Sequence, residues 1–104
     1  MIKQVERIYL SAEYRIEENA YEAENTDVIV QLTNGNKYTA SFFTYENILK
    51  QKLLNQQRGE YLNGKYFWVR GMVLIEKCSS ENIMEVVKDL IQEGDFEAAF
   101  QSMQ

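Results

Sequence analysis

The run from Thr26 to Phe43, Thr-Asp-Val-Ile-Val-Gln-Leu-Thr-Asn-Gly-Asn-Lys-Tyr-Thr-Ala-Ser-Phe-Phe, reads as a β-hairpin. Val28, Val30 and Leu32 alternate on its first arm, and Tyr38, Ala40 and Phe42 on its second. A period of two places each set on one face of a strand. Asn34-Gly35 between the arms supplies residues that tolerate positive φ. A two-residue loop at Asn34-Gly35 sets Val30 opposite Thr39, a mixed pair. A three-residue loop, Thr33-Asn34-Gly35, sets Val30 opposite Tyr38 and Val28 opposite Ala40. The second register is preferred because it gathers the apolar side chains on one face, with Gly35 as the left-handed residue of a G1 bulge.

The flanking segments extend this sheet. Over residues 7–17, Ile8, Leu10, Ala12, Tyr14 and Ile16 alternate with polar or charged neighbours, which predicts a half-buried strand. Residues 18–25 form a polar, acidic connection. After the hairpin, Thr44 can cap a helix in which Tyr45, Ile48, Leu49, Lys52 and Leu53 share a stripe. Gly59 ends that helix, and Arg58 suits its negative C-terminal end. Asn63-Gly64 marks a second turn, between Tyr61-Leu62 and a predicted strand over Lys65–Val69.

Met72–Ile75 is a continuous apolar run, the pattern of a strand covered on both faces and central in its sheet. Arg70-Gly71 before it is a turn or a bulge within one bent strand, and the turn is preferred. Ile83, Val86, Val87, Leu90 and Ile91 recur at helical spacing behind Ser79 and Ser80 and before Gly94. Asp95 can cap a final short helix whose Phe96, Ala99, Phe100 and Met103 close the core or make a dimer contact; closure is preferred. The expected class is α+β: an antiparallel sheet of about five strands, in the order β-β-β-α-β-β-α-α, with helices packed on one face. At 104 residues without a linker or repeat, the chain reads as a single domain, 1–104.

Composition limits the chemistry. Histidine is absent, which removes the commonest general base and metal ligand. A single Cys78 permits neither an internal disulfide nor a zinc site of the usual kind. It lies just before a helix start, where the dipole favours a thiolate, but no base is near it in sequence. No glycine-rich run has the spacing that cradles phosphate. The expectations are therefore no catalytic residue, no cofactor, no metal and no enzymatic activity. The net charge of −5 argues against nucleic acid and against an anionic membrane surface. The lone cysteine and an N-terminus without a long apolar run lead to the expectation of a cytoplasmic protein.

What remains is contact with another protein. From Glu13 to Asp27 the chain holds six acids (Glu13, Glu17, Glu18, Glu22, Glu24 and Asp27) against Arg15, with Tyr21 among them. This is the composition of an acidic face with an aromatic anchor for a basic partner. In the strand predicted over 65–69, Phe67 and Val69 face one way and Tyr66, Trp68 and Arg70 the other, a second group of the kind that dominates interfaces.

The Asn-Gly hairpin ending in Phe42-Phe43-Thr44, the run Leu62-Asn-Gly-Lys-Tyr-Phe-Trp68 and the tail Ile83…Leu90-Ile91…Gly94-Asp95-Phe96…Phe100 resemble small uncharacterised bacterial α+β domains. In size, charge and architecture such a domain is similar to immunity proteins, which block a cognate toxin by binding it. That resemblance implies an inhibitor working through its surface, and it assigns no functional residue here. A structural homodimer and a small-ligand-binding domain, with a pocket between sheet and helices, stand as the alternatives.

Overall fold

The computed structural model describes residues 4–10 and 25–103. Its hairpin joins β2 (Asn25–Leu32) to β3 (Lys37–Thr44) in the expected register, with Val28 opposite Ala40 and Val30 opposite Tyr38. Leu32 and Asn36 close the loop by a backbone bond of 2.9 Å, and Gly35 takes φ +92°. The expected G1-bulge geometry is thus formed. Strand β1 (Val5–Leu10) pairs antiparallel with β2 on its other side, Ile8 opposite Val30 and Leu10 opposite Val28. It begins two residues earlier than the alternation predicts. A register shift between Val5 and Arg7 lets Val5 as well as Ile8 pack on the core. The rest of the strand expected over 7–17 lies outside the described residues, as does the connection after it up to residue 24.

Helix α1 (Tyr45–Arg58) follows β3 directly, then a four-residue turn α2 (Tyr61–Gly64), then β4 (Met72–Ile75). Strand β4 pairs with β3 in parallel, Phe42 beside Val73 and Thr44 beside Ile75. Helix α3 (Ser80–Glu93), a short α4 (Phe96–Ala99) and β5 (Gln101–Ser102), which pairs antiparallel with β3, complete the chain. Among the described residues the fold is α+β on a five-stranded, predominantly antiparallel sheet.

The element order departs from expectation in three places. Residues 65–69 form no strand, and the fifth strand comes from Gln101–Ser102 instead. The free edge of β3 is already shared, with β4 on Ser41–Thr44 and β5 on Tyr38–Thr39. Arg70-Gly71 is a turn, as preferred, with the Gly71 carbonyl accepting the Ser41 N–H at 2.8 Å. Finally, among the described strands β4 lies at the end of the order rather than in the centre. Its continuous apolar run has another cause: Val73 and Ile75 face the core, while Met72 and Leu74 face the segment that returns from α1.

The core lies between one sheet face and α3–α4. Val28, Val30, Ala40 and Phe42 meet Ile83, Val87, Phe96 and Phe100, all buried. Ser79 caps α3 by accepting the Asn82 N–H at 3.1 Å, and Gly94 ends it at φ +82°. Phe96 stacks on Phe100 at 4.7 Å and meets the Tyr38 ring edge-on at 5.1 Å. Phe96 and Phe100 therefore close the core, as preferred, but the helix stops at Ala99: Phe100 is extended, and Met103, beyond β5, is exposed rather than on the same face. The two aromatic residues are not available for the dimer contact that was the alternative.

Candidate interaction surface

The crossover from β3 to β4, residues 45–71, is built differently from the rest. Thr44 starts α1 in extended geometry, its hydroxyl accepting the Asn47 N–H at 3.0 Å. The helix carries the predicted apolar stripe, yet its only buried residue is Asn55. The Asn55 Oδ1 accepts from Gln51 Nε2 at 3.0 Å. Ile48 and Lys52 turn towards the returning chain, whereas Tyr45, Leu49 and Leu53, a row at four-residue spacing, are exposed. Helix α1 does not join the layer of α3 and α4.

Gly59 at φ +72° ends α1, and the chain then winds one turn with the left-handed sense. Tyr61, Leu62, Asn63 and Gly64 have φ of 54°, 55°, 60° and 81°. The Gly64 N–H bonds to the Glu60 carbonyl at 2.9 Å, and the Lys65 N–H to that of Tyr61 at 3.0 Å. For L-residues this conformation costs roughly 1–2 kcal/mol each, least for Asn and nothing extra for Gly. Packing holds it. The backbone of Gly64 lies so close to α1 that a Cβ there would meet the Lys52 carbonyl oxygen at 2.9 Å. The Tyr61 ring meets Phe67 at 5.1 Å and Tyr66 at 5.4 Å, and Phe67 in turn meets Phe43 of the sheet at 5.9 Å. Leu62, at the top of the turn, is left 67% exposed.

Beyond the turn the chain is extended. Tyr66, Trp68 and Arg70 are exposed, and Phe67 and Val69 are half-buried. The alternation foreseen for a strand is kept without a strand. Between this segment, α1 and β4 runs a groove of about 240 Å³, walled by Ile48, Tyr66, Phe67, Met72 and Leu74, with Lys52 and Lys65 beside them.

The sequence-derived residues divide accordingly. Tyr66, Trp68 and Arg70 lie on this crossover and are exposed, off the sheet rather than on a strand of it. Asp27 is on β2, its carboxylate accepting the Ser41 hydroxyl at 2.7 Å. Glu13, Glu17, Glu18, Tyr21, Glu22 and Glu24 fall outside the described residues. Missed by the sequence reading were Leu49, Leu53 and Leu62, which looked like core and turn. Cys78 is buried in the core, where desolvation raises its thiol pKa above the ordinary 9.0, against the direction expected from the helix end. Among the described residues no three acids or thiols converge as metal ligands, and no helix is long and apolar enough to cross a membrane. Compared with protein-family models, curated proteins and solved structures, the chain has no match in any of the three.

Proposed function

We propose that this chain is a non-enzymatic protein-binding module and that the β3–β4 crossover is its contact surface. One observation carries the reading. Among the described residues, every large apolar side chain more than half exposed belongs to the crossover: Tyr45, Leu49, Leu53, Leu62, Tyr66 and Trp68. Scattered exposed apolar residues are ordinary, but their concentration on one element is the mark of an interface. Trp and Tyr are also the side chains that most often dominate binding energy. The groove beside them is smaller than the roughly 300–1,000 Å³ of pockets that enclose drug-sized ligands, so it suits a partner's side chain better than a free small molecule.

An immunity-type inhibitor acting by steric block is one concrete form of this reading, and a toxin-like reading frame beside the gene would favour it. The direct test is affinity capture from the native cell with the wild-type chain and with Leu49→Asp and Trp68→Ser. These exposed positions change without loss of fold, as circular dichroism will verify. The wild type should retain a stoichiometric partner that both variants lose. Recovery of the wild type alone at low salt, or a partner indifferent to both substitutions, refutes the assignment.

A further inference from the structure

The charge of the chain is not evenly spread. Residues 45–70 carry Lys50, Lys52, Arg58, Lys65 and Arg70 against only Glu46 and Glu60, a local charge of +3. Since the whole chain carries −5, the remaining residues carry −8. All five cations are exposed. Among the described residues, the stretch that holds every large apolar side chain more than half exposed thus also carries a net positive charge, against the sign of the protein. Lys52 and Lys65 stand at the groove itself, and among the described residues no acid lines it.

Resting on the crossover being the contact surface, we propose that its partner is an acidic amphipathic segment of another protein. The segment lays an apolar side on the Leu49–Leu53 row and the Tyr66 wall and sets flanking carboxylates against Lys52 and Lys65. Docking that buries the leucines brings the two ammonium groups to the rim of the contact, where anions complement them. A basic partner meets like charge there. A second copy joined through the same face sets +3 against +3, which disfavours a symmetric dimer on this surface. A nucleic acid strand satisfies the cations and can stack on Trp68 and Tyr66, but it has no use for exposed aliphatic leucines, and the −8 of the remaining chain repels a polyanion.

Trp68 is the chain's only tryptophan and is 58% exposed, so its emission reports occupancy of the crossover directly. The full chain is titrated with three probes: a helical peptide with Leu at i, i+3, i+4 and i+7 and Glu elsewhere, the same peptide with Lys for Glu, and a single-stranded oligothymidine. The Leu/Glu peptide should shift Trp68 emission to the blue and bind less well as salt rises. Lys52→Glu with Lys65→Glu should weaken it about twofold to thirtyfold, two exposed ion pairs' worth, and the milder Gln pair less. Equal or tighter binding of the Leu/Lys peptide overturns the partner chemistry while leaving the crossover as a protein-contact surface. Preferential binding of the oligonucleotide overturns both. A mass above the monomer in light scattering of the protein alone, reversed by Leu49→Asp, identifies a second copy as the occupant and overturns the assignment. Silence of Trp68 towards all three probes also overturns it, and the capture experiment with Leu49→Asp then decides separately whether the surface binds protein at all.

Discussion

Two glycines with nearly the same backbone angle allow the docking of the left-handed turn on α1 to be measured. Gly64 has φ +81° and Gly94 has φ +82°. A methyl group on Gly94 meets nothing within 4 Å, whereas on Gly64 it lies 2.6 Å from Gln56 Cγ and 2.9 Å from the Lys52 carbonyl oxygen. Gly94→Ala therefore incurs only the conformational penalty of a left-handed alanine, about 1–2 kcal/mol, less the gain from a stiffer unfolded chain of about 0.4–1 kcal/mol. Gly64→Ala incurs the same balance and must also push the turn off the helix. The Gln56 side chain can swing away, but the Lys52 carbonyl is helix backbone and cannot, which adds about 1–3 kcal/mol of overpacking. The unfolded-state contributions cancel in the difference. Urea unfolding followed by circular dichroism should thus place Gly64→Ala about 1–3 kcal/mol below Gly94→Ala, or roughly 4–20 °C lower in Tm for a domain of this size. The Leu/Glu peptide should bind the Gly64→Ala protein more weakly, because the groove wall has moved. Equal stabilities of the two variants would show that the turn does not rest on α1 and would remove the physical basis of the groove.

Three further outcomes are expected. Phe96→Ala, which empties a fully buried site against Tyr38 and Phe100, should cost about 3–5 kcal/mol in chemical denaturation, whereas Trp68→Ala should cost less than about 1 kcal/mol and act on binding instead; the reverse ranking would mean that the core lies elsewhere. Burial keeps the Cys78 thiol neutral, so as pH rises past the unfolded chain's value, about 9.0, the unfolded state loses its proton first and stability falls until the higher folded value is passed. The urea midpoint of the wild type should accordingly lose ground to that of Cys78→Ala above that pH, and a constant gap between them would contradict the burial. Leu62→Gly relieves about 1–2 kcal/mol of left-handed strain, gives up about 0.5–1 kcal/mol in glycine's entropy, and forfeits a similar amount from the third of the side chain that is covered. Its stability should stay within about 1 kcal/mol of wild type, while affinity for the Leu/Glu peptide drops; a loss of more than about 2 kcal/mol would mean that Leu62 is not held left-handed.

Most of the sheet was legible because independent signals coincided. In the hairpin, the two-residue period and Asn34-Gly35 select the same register, and a slip by one would send Val28 and Val30 to the wrong face. In α3, the stripe from Ile83 to Ile91 agrees with the cap at Ser79 and the stop at Gly94. The crossover was harder because pattern and burial part company there. An amphipathic stripe shows which side of α1 is apolar, not whether the chain covers it. Period-two alternation over residues 65–70 shows an extended backbone, not a ladder. The Asn63-Gly64 signal marked positive φ correctly at those two residues, but nothing in Tyr61 or Leu62 announces the same geometry, since tertiary packing and not propensity puts them there. Tyr66, Trp68 and Arg70 stand out in the sequence because aromatic residues beside arginine are conspicuous. The local charge of +3 over residues 45–70 is equally present in the sequence, but the net charge of the whole chain masks it.

The strain in α2 and the exposure around it have a common physical logic. Holding Tyr61 and Leu62 left-handed costs roughly 2–4 kcal/mol together. The ring contacts of Tyr61 with Phe67 and Tyr66, and of Phe67 with Phe43, return about 0.5–1.5 kcal/mol each, which offsets that cost to within a few kcal/mol. The turn is thus fixed from its inner side by aromatic packing and by the contact of Gly64 with α1, while Leu62, Tyr66 and Trp68 are held outward on a backbone already in place. A surface ordered before its partner arrives does not have to surrender that conformational freedom on binding, and this is the usual route by which a small contact area reaches useful affinity. An unstrained, flexible connection of the same composition could expose the same side chains, but it would face an ordering cost at every encounter. The left-handed turn is therefore better understood as the element that makes the crossover a defined surface than as an irregularity between a helix and a strand.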